Sequence, residues 1–446
     1  MHQSVDEVVS TDVEHLATLP SEPYPGPDMD QPTTNAQAWA ASGALALTGR
    51  ADHDPLVPPD ALIDRIRLLA EPLGVDPLPF LADRAAARGL SRHGDVSCGG
   101  TAHLLRSRDG WIAVNLPRDD DHSLVPAWLG IDPIIGDLWP QIEEAVSTRT
   151  GDDLVAVATL LGLPAARLGE SAAAAPHEEL AGLPVGAQRF GRDHREPRPP
   201  VVVDLSALWA GPLCSRLLAD RGARVIKVES TARPDGARRG PSSIYDALNA
   251  GKESVSIDLR TPAGVAVLRA LVERADVVIE ASRPRALAQL GLDVHDVLAW
   301  GSGPRVWISI TGHGRAVDRV AFGDDAAVAG GLVALDGAGP CFVADAVADP
   351  LAGFLTASAA VTALATPGRW LIDVSMAGAA SFVAGDPPHS KWTADPRLDG
   401  VEGRALPSSV GAARLGRDTT AVLAEFGIPG GGHGHAPPAQ VSTAPA

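Results

Sequence analysis

Cysteine, lysine, tyrosine and methionine are scarce in this chain of 446 residues, with three, three, two and three copies. The cysteines (Cys98, Cys214, Cys341) lie far apart, so neither a disulfide framework nor a Cys-x-x-Cys metal site is available. Long hydrophobic runs are also missing. None approaches the roughly 18–20 uninterrupted apolar residues of a membrane helix. The first ten residues carry Asp and Glu in place of the basic and apolar regions of a secretory signal. Positive charge is in deficit, with 37 Lys and Arg against 55 Asp and Glu and a net charge of −18. Non-specific nucleic-acid binding needs a basic footprint. These absences predict a cytoplasmic protein with no metal, no membrane span and no nucleic-acid partner.

Hydrophobic residues make up 45% and charged residues 21%, which excludes a mainly disordered chain. Residues 1–36 are acidic, contain proline and lack periodicity, and read as a disordered tail. Residues 429–446, rich in Gly, Pro and Ala around His433 and His435, read the same way. An alanine-rich stretch ending in HREPRPP (His194–Pro200) predicts a linker over 171–200, because its prolines forbid a continuous helix. Two lobes follow.

The second lobe alternates apolar β-branched runs with helical patterns. VVVDL (Val201–Leu205), RVIKVE (Arg224–Glu229), VSIDL (Val255–Leu259), DVVIE (Asp276–Glu280) and RVWISI (Arg305–Ile310) are the strands. Leu213–Gly222 and Thr261–Arg274 are two of the helices between them. That rhythm predicts an α/β fold, with a parallel sheet covered by helices on both faces. Ligands of such sheets collect beyond the carboxyl ends of the strands. The first lobe reads as α+β, with two strands in Val96–Leu116 joined at Ser107–Gly110.

No GxGxxG follows the first strand; the loop is SALWAGPLCS (Ser206–Ser215). An NAD- or FAD-linked site therefore lacks its phosphate-binding turn. Cations gather at the loop ends instead: Arg233, Arg238, Arg239, Lys252, Arg283 and Arg285. In an acidic chain they could form a local anion site. Glycine before Lys252 would let the backbone approach a phosphate. Asp349, in VADPLAGFLTASAAV (Val347–Val361), reads either as a helix N-cap with proline at N1 or as a carboxylate placed among backbone N–H groups for catalysis. Asp324-Asp325 reads as a proton shuttle or a solvated turn.

From Val201 to about Ala380 the chain resembles the class III CoA-transferases, a family that includes 2-methylacyl-CoA racemases. The matching pieces are Asp204–Glu229, Asn249–Gly264, Ala275–Leu292, Trp307–Gly314, Val347–Gly353 and Gly368–Ala380; the tail Leu406–Ile428 is similar to the family's C-terminal segment. In the first lobe, Gly94–Leu116, with its R-x-x-DGW turn, resembles the family's small domain. That domain ordinarily follows the large one; here it leads. Trp39–Gly49 and Ala327–Gly337 share five of eleven positions, which suggests a truncated leading copy. The resemblance implies a Rossmann-like large domain over 201–385, a small α+β domain over 37–170 and a segment over 386–428 that returns to the large domain. It implies coenzyme A, as an acyl-CoA substrate, a carboxylic acid acceptor and a homodimer. Asp349 falls at the family's catalytic aspartate, which forms covalent acyl and CoA intermediates. Leu208, Trp209 and Ala210 match the loop along CoA, and Lys252 and Arg283 match basic residues near its phosphates; Arg238 joins them as a candidate CoA-binding cation.

The family's usual ENFRPG is Glu280-Ala281-Ser282-Arg283-Pro284-Arg285 here, and NRGKRS has become Asn249–Ser254 with Glu253 in place of a cation. Racemases carry a histidine before an aspartate where this chain has Asp324-Asp325, and His313 does not occupy that position. The readings are therefore a CoA-transferase acting through Asp349, a racemase using Asp349 and Asp324, and a non-catalytic CoA-binding paralogue.

Overall fold

The structure is a computed structural model that describes residues 34–133, 135–191, 198–300, 302–385, 392–398 and 411–429. His433, His435 and nearly all of both predicted tails lie outside these residues, as does Leu406–Val410 of the C-terminal segment.

In chain order the strands are β1 (Leu56–Val57), β2 (Ala102–Ser107), β3 (Gly110–Asn115), β4 (Ala165–Arg167), β5 (Gly186–Phe190), β6 (Val201–Asp204), β7 (Arg224–Ser230), β8 (Glu253–Ile257), β9 (Val277–Glu280), β10 (Val306–Thr311), β11 (Ala334–Asp336), β12 (Gly339–Cys341), β13 (Arg369–Ser375) and β14 (Thr393–Ala394). Five helices frame the site: α1 (Asp83–Arg88), α2 (Ala210–Ala219), α3 (Gly323–Ala329), α4 (Ala348–Ala365) and α5 (Met376–Ala384).

The large sheet runs β5-β13-β10-β9-β6-β7-β8. Its strands are parallel except β5, which pairs antiparallel with β13. Every residue of β6 and β9 is buried, as apolar runs without alternation require when helices cover both faces. From β6 the chain builds outward through β7 and β8, then returns to place β9 on the other side. That reversal opens a crevice at the carboxyl ends of β6 and β9. The fold is thus α/β with a Rossmann-like strand order, joined to a smaller α+β unit. In the smaller unit β2-β3-β4 form an antiparallel sheet, whose core includes Ile112, Val114, Trp128 and Ile142.

Two segments take places the sequence pattern does not reveal. Gly186–Phe190, inside the expected linker, is the seventh strand. Its residues are mostly exposed, as on an edge, so no apolar run advertises it. The leading part of the first lobe packs against the large domain, not the small sheet. Trp39, Leu45, Ile63 and Leu69 share one core with Leu351, Phe354 and Val383. The cause lies in α4, which is apolar on every side and needs cover on every side. Phe80 meets Phe354 edge-on at 5.1 Å, and the Ser358 hydroxyl donates to the Leu69 carbonyl at 2.6 Å. By length and composition α4 could cross a membrane, but 72% of it is buried inside the protein.

At the far edge, residues 411–429 close off β8. Asp418 and Thr419 side chains accept the Ser254 and Ser256 N–H groups at 2.8 and 3.0 Å, capping a row that would otherwise invite another strand.

Small residues set the helix spacing. A Cβ on Gly330 would lie 2.4 Å from the Ala377 carbonyl oxygen and 2.5 Å from the Ser381 nitrogen, both backbone atoms of α5. Gly330→Ala should therefore force α3 and α5 apart and destabilise the protein by about 1–3 kcal/mol. Thermal unfolding measures this, and an unchanged Tm contradicts the packing described.

Candidate functional site

Asp349 stands in the first turn of α4. The sequence pattern suggested an N-cap with proline at N1, and the structure corrects this. Val347 holds the cap position with helical angles (φ −58°, ψ −26°), and the Asp349 N–H already donates to the Ala346 carbonyl at 2.9 Å. The turn starts early because Ala344 and Ala346 adopt left-handed angles, φ 51° and 43°. Such angles cost an alanine roughly 1–2 kcal/mol, so the surrounding structure must hold them. The carboxylate accepts the backbone N–H groups of Ala210 and Gly323, the first residues of α2 and α3. At 323 only glycine fits: a Cβ there would sit 2.4 Å from Asp349 Oδ2 and 2.2 Å from the Ala346 oxygen.

Around Asp349 lies a group of buried acids. Asp324 accepts the Ala346 N–H at 3.1 Å. Asp325 accepts the Phe322 N–H at 3.0 Å and Asn115 Nδ2 at 3.1 Å, so this pair is not a solvated turn. Asp345 is fully buried and bound by Arg84: Nε donates to Oδ2 at 2.7 Å and Nη2 to Oδ1. The Arg84 guanidinium also lies 4.8 Å over the Trp209 ring. Burial pushes Asp349 up to about 6, opposed by the charge of Arg84 and the Ala210 N–H. Burial and then the charge of Asp345 raise Asp324 to about 7; burial raises Asp325 to about 7 against its N–H donor from Phe322. Cys98 Sγ donates to Asp345 at 3.3 Å, and burial drives its thiol pKa far up, leaving it unreactive.

The loop leading into α2 is also held from within. Leu208 is half-exposed at φ 68°, and its N–H donates to Asp235 Oδ1 at 3.0 Å. Lys227 lies 3.0 Å from the other Asp235 oxygen and donates to the Ser206 carbonyl at 3.0 Å. Trp209 is buried.

The cations expected along CoA divide. Lys252 is turned inward: its ammonium donates to Ser215 Oγ at 2.7 Å, the Pro212 carbonyl at 2.9 Å, Asn249 Oδ1 at 3.0 Å and Asp204 Oδ2 at 3.3 Å. Burial lowers it to about 8. For Asp204, burial is outweighed by Lys227 and Lys252, which bring it down to about 2. Lys252 thus ties β8 to α2 and presents no charge to the surface. Arg238 is likewise paired, with Nε 2.8 Å and Nη2 2.6 Å from the Glu229 carboxylate and the guanidinium 4.3 Å over Tyr245. Arg283 remains partly exposed after β9, 3.9 Å from Asp318, which Arg285 also approaches at 2.8 Å. His313 is half-buried against Ser171, and loss of solvent lowers it to about 4.

The structure therefore brings together Asp349, Ala210, Trp209 and Asp324 from the sequence-derived candidates. It adds Arg84, Asp345 and Gly323. Asp345 had a faint signal, an Ala-Asp pair four residues before Ala348-Asp349. Arg84 had none, since it arrives from a distant segment.

The model of CoA-transferase family III matches residues 200–411, and that segment belongs to the family. A succinyl-CoA–D-citramalate CoA-transferase of Chloroflexus aurantiacus is 36% identical over 38% of this chain and 46% of its own. A succinate–glutarate CoA-transferase of Agrobacterium fabrum is 34% identical over 45% of this chain and 58% of its own. Human alpha-methylacyl-CoA racemase is 43% identical over 20% of this chain and 22% of its own. The chain thus spans about half the length of the two transferases.

The raised carboxyls make a stability prediction. Between about pH 4 and 6 the folded chain keeps the Asp349 proton that the unfolded chain releases, so stability falls as pH rises through that window. Asp349→Asn should remove this penalty. Given the partial exposure of Asp349, the gain at pH 8 should be on the order of 1–2 kcal/mol, vanishing below pH 4. Unfolding at both pH values measures it; an equal difference at each contradicts the assignment.

Proposed function

We propose that the protein transfers coenzyme A between an acyl-CoA and a carboxylic acid acceptor, with Asp349 as the nucleophile. One observation carries this reading: the Asp349 carboxylate is held by the Ala210 and Gly323 N–H groups, beside Arg84 and a group of buried acids, in a setting that leaves it ionised above about pH 6. In the proposed cycle, an Asp349 oxygen attacks the thioester carbonyl; the C–S bond breaks, giving a mixed anhydride and CoA thiolate. The thiolate then attacks the Asp349 side-chain carbonyl and expels the donor acid as its carboxylate. Attack of the acceptor carboxylate on the resulting aspartyl thioester releases the thiolate again. The thiolate finally takes the acceptor's acyl carbon and restores the Asp349 carboxylate. Each step exchanges one acyl bond for another, with no redox change. Splitting the reaction through a covalent intermediate lowers each barrier, and fixed N–H donors stabilise the oxyanions.

The proposed site lies beside the Leu208–Ala210 loop, along which CoA would run, with Arg283 as the cation still available to its phosphates. Lys252 and Arg238 would act indirectly, by holding that loop and its surroundings. Dicarboxylic acids and their CoA esters, as named for the two transferases, are the first substrates to try. The assembly proposed is a homodimer, for which the exposed side chains of Ile135 and Leu160 on the small unit are candidate contacts; gel filtration giving only monomer would remove it.

Incubation with a panel of acyl-CoAs and hydroxylamine should leave a hydroxamate on Asp349, found by peptide mass spectrometry. The Asp349→Ala protein should show none, and should lose transfer by at least about 1000-fold. Because the carboxylate is the reactive form, kcat/KM should rise with pH and level off above about 6. An unmodified Asp349 in protein that binds CoA would overturn the reading.

A second reading, 2-methylacyl-CoA racemisation, is favoured by Asp324, a neighbouring buried carboxyl near neutrality (about 7). It predicts loss of α-deuterium from labelled acyl-CoA into water without any acceptor. Retention of the label excludes it.

A further inference from the structure

We propose that Arg84 is a positioning residue for Asp349: it clamps the loop Leu208–Ala210 to the turn Ala344–Val347 and so holds the nucleophile in its cradle. The inference rests on Asp349 being the nucleophile. Its basis is that one side chain touches both backbone segments that frame this carboxylate. The Arg84 fork grips both oxygens of Asp345, in the turn entering α4, while its face covers Trp209, next to the Ala210 N–H that binds Asp349. Both segments carry strained residues: Leu208 on one side, Ala344 and Ala346 on the other. Strain of this kind persists only where neighbours over-determine the backbone. The clamp is anchored independently of both, on α1, within a leading segment whose core packs along α4.

A planar fork with a stackable face is needed for both contacts, and lysine offers neither. The groups acting on Asp349 are Arg84 from α1, Asp345 from the turn, Asp324 and Asp325 from α3, and the Ala210 and Gly323 N–H groups. Arg84 is the cation among them, so it should act on Asp349 through charge as well as position. The two actions can be separated.

The test compares Arg84→Lys, Arg84→Met and the double variant Arg84→Met/Asp345→Asn, which avoids an unpaired buried carboxylate if the single change fails to fold. One readout needs no turnover: the pH dependence of Asp349 modification by a water-soluble carbodiimide and glycine ethyl ester, mapped by mass spectrometry. The midpoint should lie near pH 6 in the parent protein, rise by about one unit in Arg84→Met and stay nearly unchanged in Arg84→Lys. The other readout is transfer itself. Arg84→Lys and the double variant should each lose about 100-fold in kcat with little change in KM, the signature of a misplaced reacting group. Arg84→Lys with parental kcat, or Arg84→Met with a parental midpoint, would overturn the clamp. If the parent protein shows no transfer, the nucleophile reading fails by itself, and the midpoints still decide whether Arg84 acts on Asp349.

Discussion

The contact between the start of α2 and the first turns of α4 governs the rest of the site. It requires Gly353, where a Cβ would fall 3.0 Å from the Ala210 oxygen and 2.8 Å from Leu213. With that approach permitted, the Ala210 N–H reaches Asp349, one turn earlier on α4. Gly323 grants the same closeness from α3. Small residues thus do more than fill space here. They let the starts of two helices converge on one carboxylate, where their unpaired N–H groups are the natural partners of negative charge.

Convergence of this kind destabilises the fold, and the structure shows where the burden falls. Asp324 and Asp325 are buried beside Asp349, and three alanine or leucine residues nearby hold left-handed angles. Burial of acids near one another favours their protonated forms, and sites tuned for reaction are commonly less stable than their surroundings. The compensation is packing. Helix α4 is enclosed on one side by α2 and the large sheet and on another by the leading segment, so its position is fixed over most of its length. Two of the chain's three lysines serve the same end, fully buried among carboxylates and carbonyls beneath the Leu208–Ala210 loop.

Five of the seven strands of the large sheet were legible in the sequence, because they are continuous apolar runs spaced by helical patterns; β13, equally apolar, was not read as a strand. Asp349 stood out as a candidate through its local motif. What else escaped was of two kinds. Strand β5 is an exposed edge element, and its residues GAQRF carry no apolar signal. Arg84 and the inward turn of Lys252 depend on contacts between residues far apart in the chain: Arg84 meets Asp345 across 261 positions, and Lys252 meets Asp204 across 48. A lysine after glycine at a loop end looks the same in sequence whether it faces a phosphate or a buried aspartate. Only the fold decides, and here it placed Asp204 at the end of β6 directly within reach. The packing of the leading segment on α4 was not legible for a related reason, since the need of α4 for cover is a property of the assembled core and not of that segment's own pattern.

If Asp349 passes through acyl bonds during transfer, it must exchange an oxygen with the acceptor acid, and oxygen isotopes detect that exchange. A single turnover with an acceptor acid labelled with oxygen-18 in its carboxylate should leave one heavy oxygen on Asp349, seen as a shift of about 2 Da in its peptide; that is the fate of the acceptor oxygen when an aspartyl anhydride forms and is resolved at the acceptor's acyl carbon. CoA transfer that proceeds while the Asp349 peptide stays unlabelled would mean that Asp349 forms no acyl bond with the acceptor.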